Sequence, residues 1–253
     1  MIRVPGRIEI RLNSRDPKAL ADFYVRALGF RPGESAGDVV TLILGASRVT
    51  LAAVPPGGRD YPGDVPGWSP LFQHFAMTTP DIVMAIGRLG ALTGWRPISR
   101  GGAQKLPLTS GGVTAFKFRD PEGHPLEFIE FPGGADGGPP RVDHSAISVT
   151  DTAASVAFYE RLGLKVGGKT LNQGPEQDAL DGLTAARVEV TQLFLPDSSG
   201  PHIELLCYLG VRRRELDPAG LGDVAATRLV FDGPAERPIL RDPDGHLLEF
   251  RQG

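Results

Sequence analysis

Arg119-Asp120-Pro121-Glu122-Gly123-His124-Pro125-Leu126-Glu127-Phe128 is answered by Arg241-Asp242-Pro243-Asp244-Gly245-His246-Leu247-Leu248-Glu249-Phe250, the two windows differing only at their fourth and seventh positions. A second pair lies at the front of each half. Asp16 is followed by Phe23-Tyr24, Arg26 and Leu28-Gly29, and Asp151 by Phe158-Tyr159, Arg161 and Leu162-Gly163. Two matches in the same order mean an internal duplication. Pro132-Gly133-Gly134-Ala135-Asp136-Gly137-Gly138-Pro139-Pro140 can neither continue a strand nor start a core, so it reads as a linker. The expected domains are 1–131 and 141–253, joined by 132–140.

Within each half the periodicity switches. Ile8, Ile10 and Leu12 alternate with Arg7, Glu9 and Arg11, the pattern of a half-buried strand. Asp16 is a candidate N-cap, Pro17 suits the first helical position, Leu20, Phe23, Tyr24 and Leu28 recur at helical spacing, and Gly29 is a stop. Strands are expected at 38–45 and 47–54. A second unit follows with strand 71–78, helix 80–92, and a hairpin of 114–119 with 125–131. The second half gives strand 142–149, helix 152–162, strands near 185–195 and 202–209, strand 225–231, and the hairpin 238–241 with 246–251. Few residues separate Phe231 from Ile239, so the fourth unit is shortened. The reading is an α+β chain of four βαβββ modules in two tandem domains.

Four such modules, Phe-Tyr-x-Arg with Leu-Gly near the end of each half's first helix, and Asp-Pro-[Glu/Asp]-Gly-His-x-Leu-Glu-Phe closing each half together resemble the vicinal-oxygen-chelate superfamily. That superfamily includes glyoxalases, epimerases, extradiol dioxygenases and bleomycin-resistance proteins. The resemblance implies that paired modules curl into a cup, and that the first and last strands of each module can each offer a metal ligand. Here the first-strand positions are Glu9, His74, His144 and Ala226 or a neighbour; the last-strand positions are Thr50, Glu127, Glu204 and Glu249. If consecutive modules shared a cup, Glu9, Thr50, His74 and Glu127 would meet in one, and His144, Glu204, Ala226 and Glu249 in the other, each incomplete. Crosswise pairing, as in dimeric glyoxalase I, brings His74, Glu127, His144 and Glu204 together. It leaves Glu9, Thr50, Ala226 and Glu249 as a cup without a ligand set.

The residues themselves fit that role. His144 shares a strand face with Ala146 and Ser148, and His74 with Ala76 and Thr78, small side chains that leave room over a concave surface. Glu127, Glu204 and Glu249 stand in apolar strands, where a carboxylate needs a metal or an ion-pair partner. His124 and His246 follow the turn glycine and read as turn residues, and His202 as a rim residue beside Glu204. Two imidazoles and two carboxylates suit one divalent ion among Fe, Ni, Co, Mn and Zn. Either Glu127 or Glu204 could serve as the catalytic base beside an enediolate. The expected function is a metal-dependent lyase or isomerase acting on a small oxygenated molecule. The alternatives are an extradiol-type dioxygenase using His74, His144 and one glutamate, and a metal-free drug- or metabolite-binding protein. The resemblance places Ser148 and Tyr208 where glyoxalase I carries the arginine and asparagine that bind glutathione, which argues against glutathione dependence.

The 253 residues are 41% hydrophobic with a net charge of −3 and opposite charges interspersed, so no surface for nucleic acid or anionic membrane is expected. The basic run Arg212 to Arg214 reads as a solvated segment. The single cysteine, Cys207, excludes an intrachain disulfide, reads as a buried small hydrophobe and suits a reducing compartment. With no signal-like or spanning apolar stretch, a cytoplasmic monomer or homodimer is expected. Tyr61, Trp68 and the Pro/Gly-rich stretches 55–70 and 101–112 are candidate pocket lips.

Overall fold

Asp16 starts the first helix as its sequence suggests: its carboxylate accepts from the Lys18 and Ala19 N–H groups, Pro17 follows, and Gly29 closes the helix at φ 79°, a left-handed angle that glycine adopts freely. The computed structural model describes residues 6–35, 37–63, 65–133, 138–196, 198, 200–211, 217–233 and 238–251. The first half contains β1 (Ile8–Ser14), α1 (Pro17–Leu28), β2 (Arg31–Pro32), β3 (Val39–Leu44), β4 (Ser47–Ala53), β5 (Gln73–Thr78), α2 (Ile82–Gly90), β6 (Arg96–Pro97), β7 (Gln104–Lys105), a 3-10 turn at Leu108–Ser110, β8 (Thr114–Arg119) and β9 (Pro125–Glu130). The second contains β10 (Val142–Ser148), α3 (Thr152–Arg161), β11 (Lys165–Gln173), α4 (Pro175–Asp181), β12 (Arg187–Phe194), β13 (His202–Tyr208), β14 (Arg228–Asp232), β15 (Ile239–Arg241) and β16 (Leu247–Arg251). The fourth module has no helix among its described residues. No helix among the described residues is long and apolar enough to cross a membrane. The basic run Arg212 to Arg214 lies outside the described residues.

The strands form two sheets, and each takes strands from both halves. One runs β15-β16-β14-β1-β4-β3-β2; the other runs β11-β12-β13-β10-β5-β9-β8-β6, with β7 on β8. The joins are antiparallel: β10 on β5, and β1 on β14. Module two therefore pairs with module three and module one with module four, the crosswise arrangement. The helices follow the other division. Leu20, Phe23 and Tyr24 of α1 and Ile82, Ala85 and Leu89 of α2 share one core with β1, β3 and β4 of one sheet and β5, β8 and β9 of the other. Tyr159 of α3 joins Ile147, Leu193, Leu205, Phe231 and Phe250 in a second core.

The repeated motifs meet each other. Asp120 accepts from the Tyr24 hydroxyl at 2.9 Å and pairs with His124 Nδ1 at 2.8 Å, while His124 Nε2 reaches Asn13 O at 3.0 Å. In the second half Tyr159 donates to Asp242 at 3.1 Å, and His246 Nε2 lies 2.9 Å from Ser148 O. His124 and His246 are thus latches that tie a hairpin turn to the end of a module's first strand, and the Phe-Tyr and Asp-Pro motifs recur because each needs the other. Tyr61 is no lip: it is buried, its hydroxyl donates to Leu71 O, and its ring packs edge-on against His124. Trp68 is partly buried against the apolar cluster around Tyr208. Cys207 is half-buried rather than fully buried.

Candidate metal centre

Alternation puts Phe75 and Met77 of β5 in the core and His74, Ala76 and Thr78 on the concave face. On β10, His144 faces the same cavity, and on β9 and β13 so do Glu127 and Glu204. Pairing registers opposite Ala76 with both His144 and Glu127, and opposite Ala146 with both His74 and Glu204, lay the four donors out around two methyl groups. The structure brings the donor atoms of His74, Glu127 and His144 within 4.8 Å of one another, with Glu204 on the far side of His144. His74 Nε2 lies 2.9 Å from Glu127 Oε2, and His144 Nε2 lies 3.8 Å from Glu127 Oε2 and 3.6 Å from Glu204 Oε2. Donor atoms around one first-row ion at about 2.1 Å are separated by roughly 3–3.5 Å, so these spacings suit a shared metal. His144 Nε2 is buried with no hydrogen-bond partner, aimed between two carboxylates, as an open ligand position would be.

Neighbouring side chains orient the set. A register shift in β10 between Val142 and His144 lets Asp143 and His144, consecutive residues, both face the cavity. Asp143 Oδ2 lies 3.2 Å from His144 Nδ1, which fixes the ring with Nε2 inward. Glu204 Oε1 takes Gln192 Nε2 at 3.1 Å and faces His202 Nε2 at 3.4 Å, leaving Oε2 for the centre. His202 stacks on Phe194 with centroids 4.6 Å apart, so it braces Glu204 from the side. Lys117, directly opposite Glu127 on β8, is buried and bonds Asp181 Oδ1 at 2.7 Å.

These contacts set the proton affinities. Burial lowers the His144 imidazole, but Glu204, Asp143 and Glu127 outweigh it and raise its pKa to about 9. Burial and the Lys117 ammonium hold the His74 pKa below the usual histidine value. Burial works to raise both glutamates, yet Lys117 and His74 bring Glu127 down, and His144, His202 and Gln192 bring Glu204 well below the usual carboxylate range.

The cavity over these groups holds about 170 Å³. Glu127, Asp143 and Glu204 line it against a single ammonium, Lys117, itself paired with Asp181. Ser110 and Gly111 form part of the rim, so the 101–112 stretch does border the pocket. Ser148 donates to Gly67 O, and the Tyr208 hydroxyl donates to Asp181 Oδ2 at 3.0 Å, so both positions are engaged by the protein itself. Sequence reading missed Asp143, Lys117, Gln192, Gln177 and Asp181. The Asp143-His144 pair was visible, but strict alternation sent Asp143 to the other face.

The other sheet shows the same slots filled differently. Glu9 occupies the position of His144, Thr50 that of Glu204, Glu249 that of Glu127, and Arg228, rather than Ala226, that of His74. Arg11 stands where the first cup has Ala146, and its guanidinium meets both Glu249 oxygens at 2.8 Å. Arg251 bonds Glu9 at 2.9 Å, and Arg48 pairs with it at 3.1 Å. This cup is closed by ion pairs.

Fold and donor set together define a tandem, glyoxalase-like α+β protein. Residues 7–128 match the model of the Glyoxalase/Bleomycin resistance protein/Dioxygenase superfamily, and the second half repeats the strand arrangement of the first. The whole chain shares its fold with glyoxalase I from Zea mays at 17% identity and TM-score 0.61, over 96% of this chain and 91% of that one. A variant of the Zea mays enzyme superposes with TM-score 0.64 at 17% identity, over 96% and 92%. No curated protein matches by sequence.

Proposed function

We propose that this chain is a divalent-metal-dependent lyase or isomerase, with His74, Glu127, His144 and Glu204 holding one ion and a small oxygenated molecule as substrate. The observation that carries this reading is the buried, unpartnered His144 Nε2 set between Glu127 and Glu204. Fe, Ni, Co, Mn or Zn would serve, and the ion would polarise vicinal oxygens so that a neighbouring C–H becomes acidic. The protein's own part is proton transfer and orientation. Asp143 keeps His144 Nδ1 protonated, and Gln192 with His202 restrains one Glu204 oxygen. Glu127 Oε1 and Glu204 Oε2, which make no hydrogen bond among the described residues, are the two oxygens able to take and return the proton.

Metal analysis of protein purified without chelators tests this. Near-stoichiometric metal, with isomerisation or lyase turnover of α-hydroxyketones or acyl thioesters lost on chelation and restored by divalent ions, is expected; less than about a tenth of an ion per chain, not increased by added metal, favours a metal-free binding protein. One observation favours a second reading. His74, Glu127 and His144 offer donor atoms all within 4.8 Å, a two-histidine, one-carboxylate set. That set suits Fe(II) oxygenases. Oxygen uptake with catechols by the Fe(II)-loaded protein would select the dioxygenase.

A further inference from the structure

α4 docks across the join between the halves. Ser99 Oγ donates to Leu180 O at 2.9 Å, Arg100 N to Ala179 O at 2.8 Å, and Arg100 Nη2 to Asp178 O at 3.2 Å. Gly182 ends α4 at φ 66°, and a β-carbon there would lie 2.7 Å from Ile98 O, so this close approach requires glycine. The helix thereby becomes a wall of the cavity over the four donors. At its end Asp181 is buried and accepts from Lys117 Nζ at 2.7 Å, Gln177 Nε2 at 2.7 Å and the Tyr208 hydroxyl at 3.0 Å.

The Asp181 carboxyl accepts from Lys117 Nζ and the Tyr208 hydroxyl, so Gln177 presents its amide N–H₂ to the same group, and this sets which way the amide faces. The carbonyl then faces away from Asp181. Gln177 is 4% exposed and lines the cavity, and its Oε1 is buried without a hydrogen-bond partner. Asn172 Oδ1, on β11 in the same wall, is buried and unpartnered too. Native interiors seldom leave such acceptors unpaired. None of the proton transfers assigned to the glutamates uses either amide.

We infer that Gln177 is a specificity-determining residue, whose amide oxygen accepts a hydrogen bond from a hydroxyl or N–H on the part of the substrate that the four donors do not engage. The substrate class is thus narrowed to small polyhydroxylated or amino-bearing carbonyl compounds. Asn172 is placed to supply a second contact on the same side. This rests on the metal-centred reading above, but its test separates the two. A site built around a buried acceptor rejects the analogue without the donor, because the acceptor is then left unpaired.

Erythrulose and 1-hydroxy-2-butanone share the hydroxyketone end and differ in the two further hydroxyls. Their affinities are measured by calorimetry on zinc-loaded and metal-free protein, for the natural chain, Gln177→Met and Gln177→Leu. Asp181 keeps Lys117 and Tyr208 in both variants, so metal content and melting temperature, recorded in parallel, stay close to the parent. The natural chain is expected to prefer erythrulose by at least about tenfold, and the preference to fall below about threefold in a folded variant. A smaller preference in the natural chain, a preference above threefold kept by the variants, or no binding of either compound overturns the inference. Binding of the shared hydroxyketone end that does not depend on metal, with the erythrulose preference intact, counts against the metal centre and not against Gln177.

Discussion

His144 works through the residue before it. Asp143 holds Nδ1, and burial is offset by His144 so that the Asp143 carboxyl stays below its ordinary value. Asp143→Asn keeps the shape and removes the charge that favours the inward-facing tautomer; we expect metal affinity to fall by about 10–100-fold in competition titrations with a chromophoric chelator. An unchanged affinity would mean that Asp143 only fills space. The repeated Leu-Glu-Phe glutamates should part company. Glu127→Gln is expected to lower metal occupancy and turnover, and Glu249→Gln to leave both nearly unchanged while lowering stability, because Glu249 already faces Arg11, Arg228 and Arg251. Equal losses of bound metal from the two changes, read by elemental analysis, would contradict the asymmetry of the cups. The placement of the four proposed donors on one cavity face was legible in the sequence because each lies on a regular strand where alternation decides the face. Lys117 was not, since a lysine in an apolar strand is ordinarily read as a solvated side chain, and its partner Asp181 comes from the other half.

Elements with strong periodicity were read closely: β3, β4, β8, β9, β10 and β13 fall within a residue or two of expectation. β11 and α4 were missed. β11 carries Gly167-Gly168 and little apolar alternation, and α4 has seven residues, too few for a helical stripe. A further link between loops is also silent in sequence. Arg59, after β4, donates to Asp223, before β14, through its backbone N–H at 2.8 Å and through Nε and Nη2 at 2.9 and 2.7 Å. Those hydrogen bonds outweigh burial and hold the Asp223 carboxyl at about 2, below its ordinary 3.8. A depressed carboxyl contributes stability above its unfolded pKa, and the contribution disappears as pH falls from about 3.8 through about 2. Arg59→Gln is therefore expected to move the acid-unfolding midpoint to higher pH, followed by circular dichroism, with little change in the slope of unfolding at alkaline pH. A midpoint that stays put would show the pair to be spectator charges.

At the scale of the molecule, the two main cores each draw on one half for all but a single residue, whereas the cups divide across halves. The duplication was visible in sequence, and the counting of donors pointed to the crosswise arrangement, but only the antiparallel joins of β10 on β5 and β1 on β14 fix it. Two fragments that share both sheets should remain together once the chain between them is cut. With a protease site placed in 134–137 and cleaved after folding, the fragments are expected to co-elute in size-exclusion chromatography and retain metal, separating only in denaturant. Fragments that part under native conditions would overturn that expectation.

Arg11 gives the two cups different histories after synthesis. A guanidinium arrives with the chain, so the cup of β1 and β14 is finished as soon as the protein folds and is indifferent to the ion supply of its surroundings. The other cup, on the proposed reading, is completed only by something collected from outside. Starvation for metal would then loosen one sheet and spare its neighbour, and amide exchange should quicken in β5, β9, β10 and β13 of chelator-treated protein while β1, β14 and β16 keep their protection. Duplication would thereby have given the chain a permanent template alongside a receptor that can be emptied and refilled.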